Sequence, residues 1–221
     1  MKTVYLSFLF HANMCYDRYT KQEIRDKFPR IYSAAVRKLH EHPQVTAHID
    51  LPGLTLLSLK HHAPWFIEAL RPLVDRGQVI ISGCQYAAGH ALCQDEESGI
   101  LSSKVSMELI RQEFAPGADS FFPQEVAWHP QMPFEMNQIG VNKLLVMPTG
   151  WPYPRRVAGL DGSEVTIYPI DWTAVRLETL EAYYDNSPDG SFIMSGGDME
   201  QLGNLQAWVD EIERLAALGK R

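Results

Sequence analysis

The chain has 221 residues, 45% apolar and 21% charged, with a formal net charge of −7. That length suits one domain of barrel or doubly wound type, and the acidic balance argues against a phosphate-backbone partner, since nucleic-acid binders usually carry a basic face. Its three cysteines, Cys15, Cys84 and Cys93, form no CxxC pair, which reads as a reducing, cytoplasmic setting without a disulfide framework. No apolar run approaches the ~20 residues of a membrane span.

Thr3 to Phe10 (TVYLSFLF) reads as a buried strand rather than a leader, because His11, Asn13, Asp17 and Arg18 interrupt the run and no small-residue cleavage site follows. A helix is expected over about 20–42, where Ile24, Phe28, Ile31, Ala35 and Leu39 recur at helical spacing. Thr46 to Asp50 is the second strand, followed by helical sequence through Asp75. Gly77 to Gly83 is the third, then a long loop and a helix over about 98–114. Ser120 to Pro123 is the fourth strand, running into Gln124 and Glu125. A short helix over 133–139 precedes the fifth, Lys143 to Met147. A Pro-, Gly- and Trp-rich loop and an Asp161-Gly162 turn precede the sixth, Val165 to Ile170. Helical sequence over 173–184 precedes the seventh, Ser191 to Met194, and a last helix covers 205–218.

About seven alternating strand–helix units imply a parallel sheet with covered faces. The first strand–helix turn lacks GxGxxG and Gly-Lys-Ser/Thr, which disfavours an open nucleotide-binding sheet. The expected fold is therefore a single α/β domain over 1–221, a parallel (β/α)7-type barrel.

Such a barrel places its chemistry at the C-terminal strand ends. Those positions hold His11, Asp50, Gln85 with His90, Glu125 with His129, Asp171, and Asp198 with Glu200. Tyr86, Trp128, Trp151, Tyr153 and Trp172 add rings beside them. Aromatic faces next to carboxylates suit sugars, whose C–H faces stack while their hydroxyls bond acids and amides. Bland readings stand beside these: Asp50, Asp171 and Asp198 could each cap a turn or helix, and His11 could be a satisfied strand-end histidine. Glu125 has no helix start to cap, so a role in chemistry is the stronger reading there.

The chain resembles the N-terminal catalytic barrel of glycoside hydrolase family 57. The family's first-strand His-Gln-Pro is His11-Ala12-Asn13 here, and its Gly-Gln-Leu-Glu is Gly77-Gln78-Val79-Ile80. Its Trp-Leu-Pro-Glu looks like Phe121-Phe122-Pro123-Gln124-Glu125, with one additional residue before the acid. Its Asp-Asp-Gly-Glu-Lys-Phe-Gly looks like Gly197-Asp198-Met199-Glu200-Gln201-Leu202-Gly203. The resemblance implies a retaining enzyme, hydrolase or glucanotransferase, acting on α-glucan or a related oligosaccharide. It implies Glu125 as nucleophile and Asp198 as general acid/base, whose carboxyl groups would stand about 5–5.5 Å apart. Substrate contacts are expected from His11, Asp50, Gln85, His90, Trp128, His129, Trp151, Asp171 and Glu200, with no cofactor. Two other readings stay open. One is a metal-dependent deacetylase-like or mannosidase-like hydrolase, for which His11, His90, His129, Asp171 and Asp198 offer ligand types. The other is a catalytically impaired sugar-binding domain.

Overall fold

The computed structural model describes residues 2–14, 20–90, 93–115, 117–147, 151–171, 176–199 and 205–220. Its strands are β1 (Val4–His11), β2 (Ala47–Asp50), β3 (Val79–Ser82), β4 (Ser120–Phe121), β5 (Lys143–Val146), β6 (Arg155–Ala158), β7 (Glu164–Pro169) and β8 (Ser191–Asp198). Its helices are α1 (Lys21–Asp26), α2 (Phe28–Glu41), α3 (Gly53–His62), α4 (Pro64–Asp75), α5 (Glu96–Glu113), α6 (Met132–Gln138), α7 (Leu180–Asn186) and α8 (Leu205–Ala217). None of the described helices is long and apolar enough to cross a membrane.

The parallel α/β architecture follows the alternation of the sequence. The ring of strands is looser than a barrel. One sheet runs β3-β2-β1-β8 and the other β4-β5-β7-β6. Only isolated bridges, Gly83 to Phe121 and Ile170 to Met194, tack the two together at the seams. The described residues thus form two sheets with stitched edges and no continuously hydrogen-bonded closed barrel. The physical reason lies in the strand lengths. β4 has two residues and offers β3 almost nothing to pair with, and β7 meets β8 only beyond its own last residue.

Alternation along β1 sorts the core into two layers. Phe8 and Phe10 join Ile49, Val79 and Ile81 under α2, α3 and α4, where Tyr32, Leu39, Leu56 and Phe66 are fully buried. Fully burying such a side chain is worth roughly 1.5–3 kcal/mol. Leu9 points the other way, into a small interior cluster with Phe122, Leu145, Ile170 and Met194. Two long helical stretches are each divided at a proline. Pro29 sits in the first turn of α2 and Pro64 in the first turn of α4, where an N–H has no intrahelical partner to lose.

The sequence also differs from the structure at two strands. β6 lies in the stretch expected as loop and pairs antiparallel with β7 across the Asp161-Gly162 turn. β8 extends four residues beyond Met194, through Ser195-Gly196-Gly197 to Asp198. These polar and glycine residues read as loop, yet they complete a ladder with β1 that runs from Val4–Ser191 to His11–Asp198.

Candidate active site

The ladders bring three predicted residues to one point. His11 ends β1 and is in register with Asp50 of β2 on one side and Asp198 of β8 on the other. His11 lies two residues beyond inward-facing Leu9, and Asp198 four beyond inward-facing Met194, so both belong to the interior face. Asp50 follows outward-packed Ile49 and faces the same way. Its carboxylate Oδ2 is hydrogen-bonded to His11 Nδ1, and it is fully buried. It caps no helix, since the N-cap of α3 is Pro52.

Glu125 reaches this cluster from the fourth strand. After β4, a 3-10 turn over Gln124–Val126 turns the chain across the mouth. Glu125 (φ 56°) and Val126 (φ 49°) both occupy the left-handed region, as does Ala88 (φ 51°) in the loop after β3. Among the described residues these are the non-glycine residues with positive φ, and all three lie in loops that leave strand ends at the mouth. Such conformations cost about 1–3 kcal/mol each and persist where the surroundings enforce them, often at functional sites. Phe122 anchors the loop, its ring centroid 5.5 Å from that of His11. Gln124 Nε2 donates to Glu125 Oε1 at 3.3 Å, and the Glu125 side chain is exposed at the opening.

The electrostatics tie the four groups together. Burial pulls the His11 pKa down, but the hydrogen bond and charge of Asp50, with the charges of Asp198 and Glu125, outweigh it and hold it above 6.5. Burial pushes Asp50 up, against the opposing pull of His11 and, more weakly, of the neighbouring Cys84 thiol. Four buried polar atoms here have no protein partner: His11 Nε2, Asp50 Oδ1, Gln85 Oε1 and Gln124 Oε1. They end or follow β1, β2, β3 and β4 in turn. Buried polar groups nearly always find a partner, so this row of atoms gives the four neighbouring strand ends an unusually polar interior.

The remaining predicted residues spread outward. Trp128, Trp151 and Tyr153 line a hollow of about 120 Å³ with Met147 and Pro169, at the C-terminal ends of β5 and β7. Arg155 covers one face of Trp151, its guanidinium 4.4 Å from the ring centroid. Tyr86 wedges against Gly53 at the start of α3. His129 faces Glu135 of α6 at 3.6 Å, and burial lowers its pKa. Asp171 donates its N–H to the Met194 carbonyl at 3.0 Å, and its carboxylate acts on the Tyr183 phenol of α7. His90 is half-buried in the loop after β3. Glu200 and Trp172 lie outside the described residues. A roomier hollow of about 390 Å³, lined by Val4, Tyr5 and Ile212 among others, lies at the opposite end of β1 from His11.

Sequence reasoning missed Cys84 and Gln124 as members of this cluster. Both are adjacent in sequence to predicted residues, Gln85 and Glu125, and that adjacency was the available signal. Among the described residues, no group of three or more His, Cys, Asp or Glu side chains converges as a metal site would require.

No protein-family model matches the chain. Two curated proteins align with it weakly. A 4-alpha-glucanotransferase of Thermococcus litoralis is 23% identical over 164 residues, 66% of this chain and 23% of the relative. An alpha-amylase of Pyrococcus abyssi is 23% identical over 163 residues, 67% of this chain and 24% of the relative. The match thus spans about a quarter of the length of these relatives. Among solved structures, the Thermococcus litoralis 4-alpha-glucanotransferase superposes with a TM-score of 0.79 at 16% identity, over 97% of this chain and 38% of that one. An exo-type maltose-forming amylase from Pyrococcus sp. ST04 gives 0.72 at 12% identity, over 96% and 46%. An alpha-mannosidase from Enterococcus faecalis gives 0.66 at 16% identity, over 97% and 27%. At these identities the likeness is one of fold.

Proposed function

We propose that the chain is a carbohydrate-active enzyme that takes an α-glucan or related oligosaccharide at the C-terminal ends of its strands and processes it by a retaining, two-carboxylate mechanism. The observation that carries this reading is His11, set in the combined field of Asp50, Asp198 and Glu125 beside a row of partnerless buried polar atoms. The weak likeness to a 4-alpha-glucanotransferase and an alpha-amylase supports the choice of α-glucan.

In this mechanism Glu125 attacks the anomeric carbon and forms a glycosyl ester, while Asp198 gives a proton to the departing glycosidic oxygen. Asp198 then takes a proton from the incoming acceptor, which displaces the ester and restores Glu125. Water as acceptor gives hydrolysis, and a sugar hydroxyl gives transfer. His11, Asp50, Gln85 and Gln124 hold the hydroxyls of the ring being cleaved. Trp128, Trp151 and Tyr153 stack a ring farther along the chain.

The test is a screen of glucans and chromogenic glycosides on the full chain, with product configuration followed by NMR. Glu125→Gln and Asp198→Asn should each cut turnover about 10²–10⁴-fold, and the first-formed product should retain its anomeric configuration. Activity that survives both substitutions, or an inverted product, overturns the mechanism.

A further inference from the structure

Asp50 is an expensive residue to keep where it is. It is fully buried, it caps no helix, and an uncompensated carboxylate in an apolar interior costs several kcal/mol, on the order of a whole domain's margin. Its hydrogen-bond partner is His11 Nδ1, and the buried Cys84 thiol is a neighbour. Burial and the nearby Asp50 push the Cys84 thiol well above its usual range, so it stays S–H. The Asp50–His11 hydrogen bond joins the ends of β2 and β1. On the far side of the ring, His11 Nε2 is buried and has no protein partner.

We propose that Asp50 is a positioning residue for His11, fixing the imidazole with Nδ1–H toward β2 and Nε2–H toward the mouth as a charged donor to a sugar hydroxyl. The sugar in this statement rests on the function proposed above, whereas the orientation of the ring does not. The groups facing His11 are Asp50 from β2, Asp198 from β8, Glu125 from the turn after β4, and the apolar ring of Phe122. Three carboxylates against one apolar face favour an imidazolium, and an imidazolium bonded through Nδ1 has its second N–H free for a ligand. The charges that favour the protonated ring are those of the three carboxylates, and Asp50 exerts the strongest pull of them.

The experiment is side-chain NMR of 15N-histidine-labelled full-length protein across pH 5 to 9, which reads tautomer and titration midpoint without any assay of activity. In the wild type, His11 should keep Nδ1 protonated throughout and titrate above the ordinary 6.5. In Asp50→Asn, burial is left to dominate and the midpoint should fall below 6.5. Maltooligosaccharides should move the Nε2 signal of the wild type and bind at least tenfold more weakly to Asp50→Asn. Should Asp50→Asn fail to fold, the wild-type tautomer and midpoint decide the matter alone. A wild-type His11 that titrates at or below 6.5, or whose neutral form carries its proton on Nε2, overturns the proposal. So does an Asp50→Asn midpoint equal to that of the wild type. If tautomer and midpoint are as stated but no maltooligosaccharide moves Nε2, the α-glucan reading fails and the positioning of His11 by Asp50 stands.

Discussion

His48 of β2 sits two residues before Asp50, on the same inner side of the sheet, and burial pulls its pKa down to about 4, with Asp119 opposing and Lys143 assisting. It borders a cavity of about 370 Å³ at the N-terminal strand ends, and its Nδ1 lies 3.2 Å from the Ser82 hydroxyl. A histidine depressed in this way stabilises the fold above the unfolded value of 6.5, and its contribution is lost as pH falls toward 4. The loss should be on the order of 3 kcal/mol. His48→Gln should therefore flatten the acid side of a urea-denaturation profile, and an unchanged acid limb would refute this. His11 works in the opposite sense. Its folded pKa is raised, so its contribution is fully present below 6.5 and is lost as pH rises through the folded value. His11→Gln should remove that alkaline decline while leaving the acid limb to His48.

At the scale of elements, the seam between β3 and β4 depends on a glycine. Gly83 accepts from Phe122 N at 2.8 Å and donates to the Ser120 carbonyl at 2.8 Å, which stitches the two sheets. A Cβ at Gly83 would collide with the buried sulfur of Met107 in α5. Gly83→Ala should destabilise the protein by roughly 1–3 kcal/mol, read as a lower midpoint in chemical denaturation. A neutral result would mean that Met107 has room to retreat. Elements of this kind also mark what the sequence discloses. β1 and β5 are legible as nearly continuous hydrophobic runs, and β2 and β7 by their alternation of apolar and polar residues. The end of β8 is not, since Ser195-Gly196-Gly197 carries no apolar pattern and its place in the sheet is set by the ladder with β1. β6 is hidden for a related reason: Arg155 and Arg156 are exposed edge residues, and the strand exists because β7 offers it a partner. The same contrast holds in the site. His11, Asp50, Glu125 and Asp198 could be picked out because strand ends are where such folds do chemistry. That Cys84 lies beside Asp50, and that Asp171 and His129 turn elsewhere, depends on side-chain packing between strands far apart in sequence.

Over the whole molecule, stability should be uneven. β1 is paired along its length with β8 and over its second half with β2, whereas β4 contributes a two-residue pairing and β6 forms an exposed edge. Hydrogen exchange followed by mass spectrometry should find the slowest amides in β1 and β8, and amides at least tenfold faster in β4 and β6. Uniform protection across the eight strands would show that the seams are as firmly held as the ladders. Such a division bears on the site, because Glu125 approaches from the weakly paired sheet while His11, Asp50 and Asp198 belong to the other.

The β1–β8 ladder has one more consequence, for how the molecule is made. Val4 pairs with Ser191, so β1 waits for a strand far later in the sequence before its second edge is covered. Contacts this distant in sequence are slow to form, and during translation β1 has only β2 to lean on. The charge cluster inherits that timing. Asp198 is delivered on the late strand, so a ribosome-bound chain that has already buried His11 against Asp50 still lacks the second carboxylate in register with it. Assembly of the candidate active site and completion of the sheet are then a single late event, and an intermediate stalled before it exposes an unpaired strand edge without a complete active site.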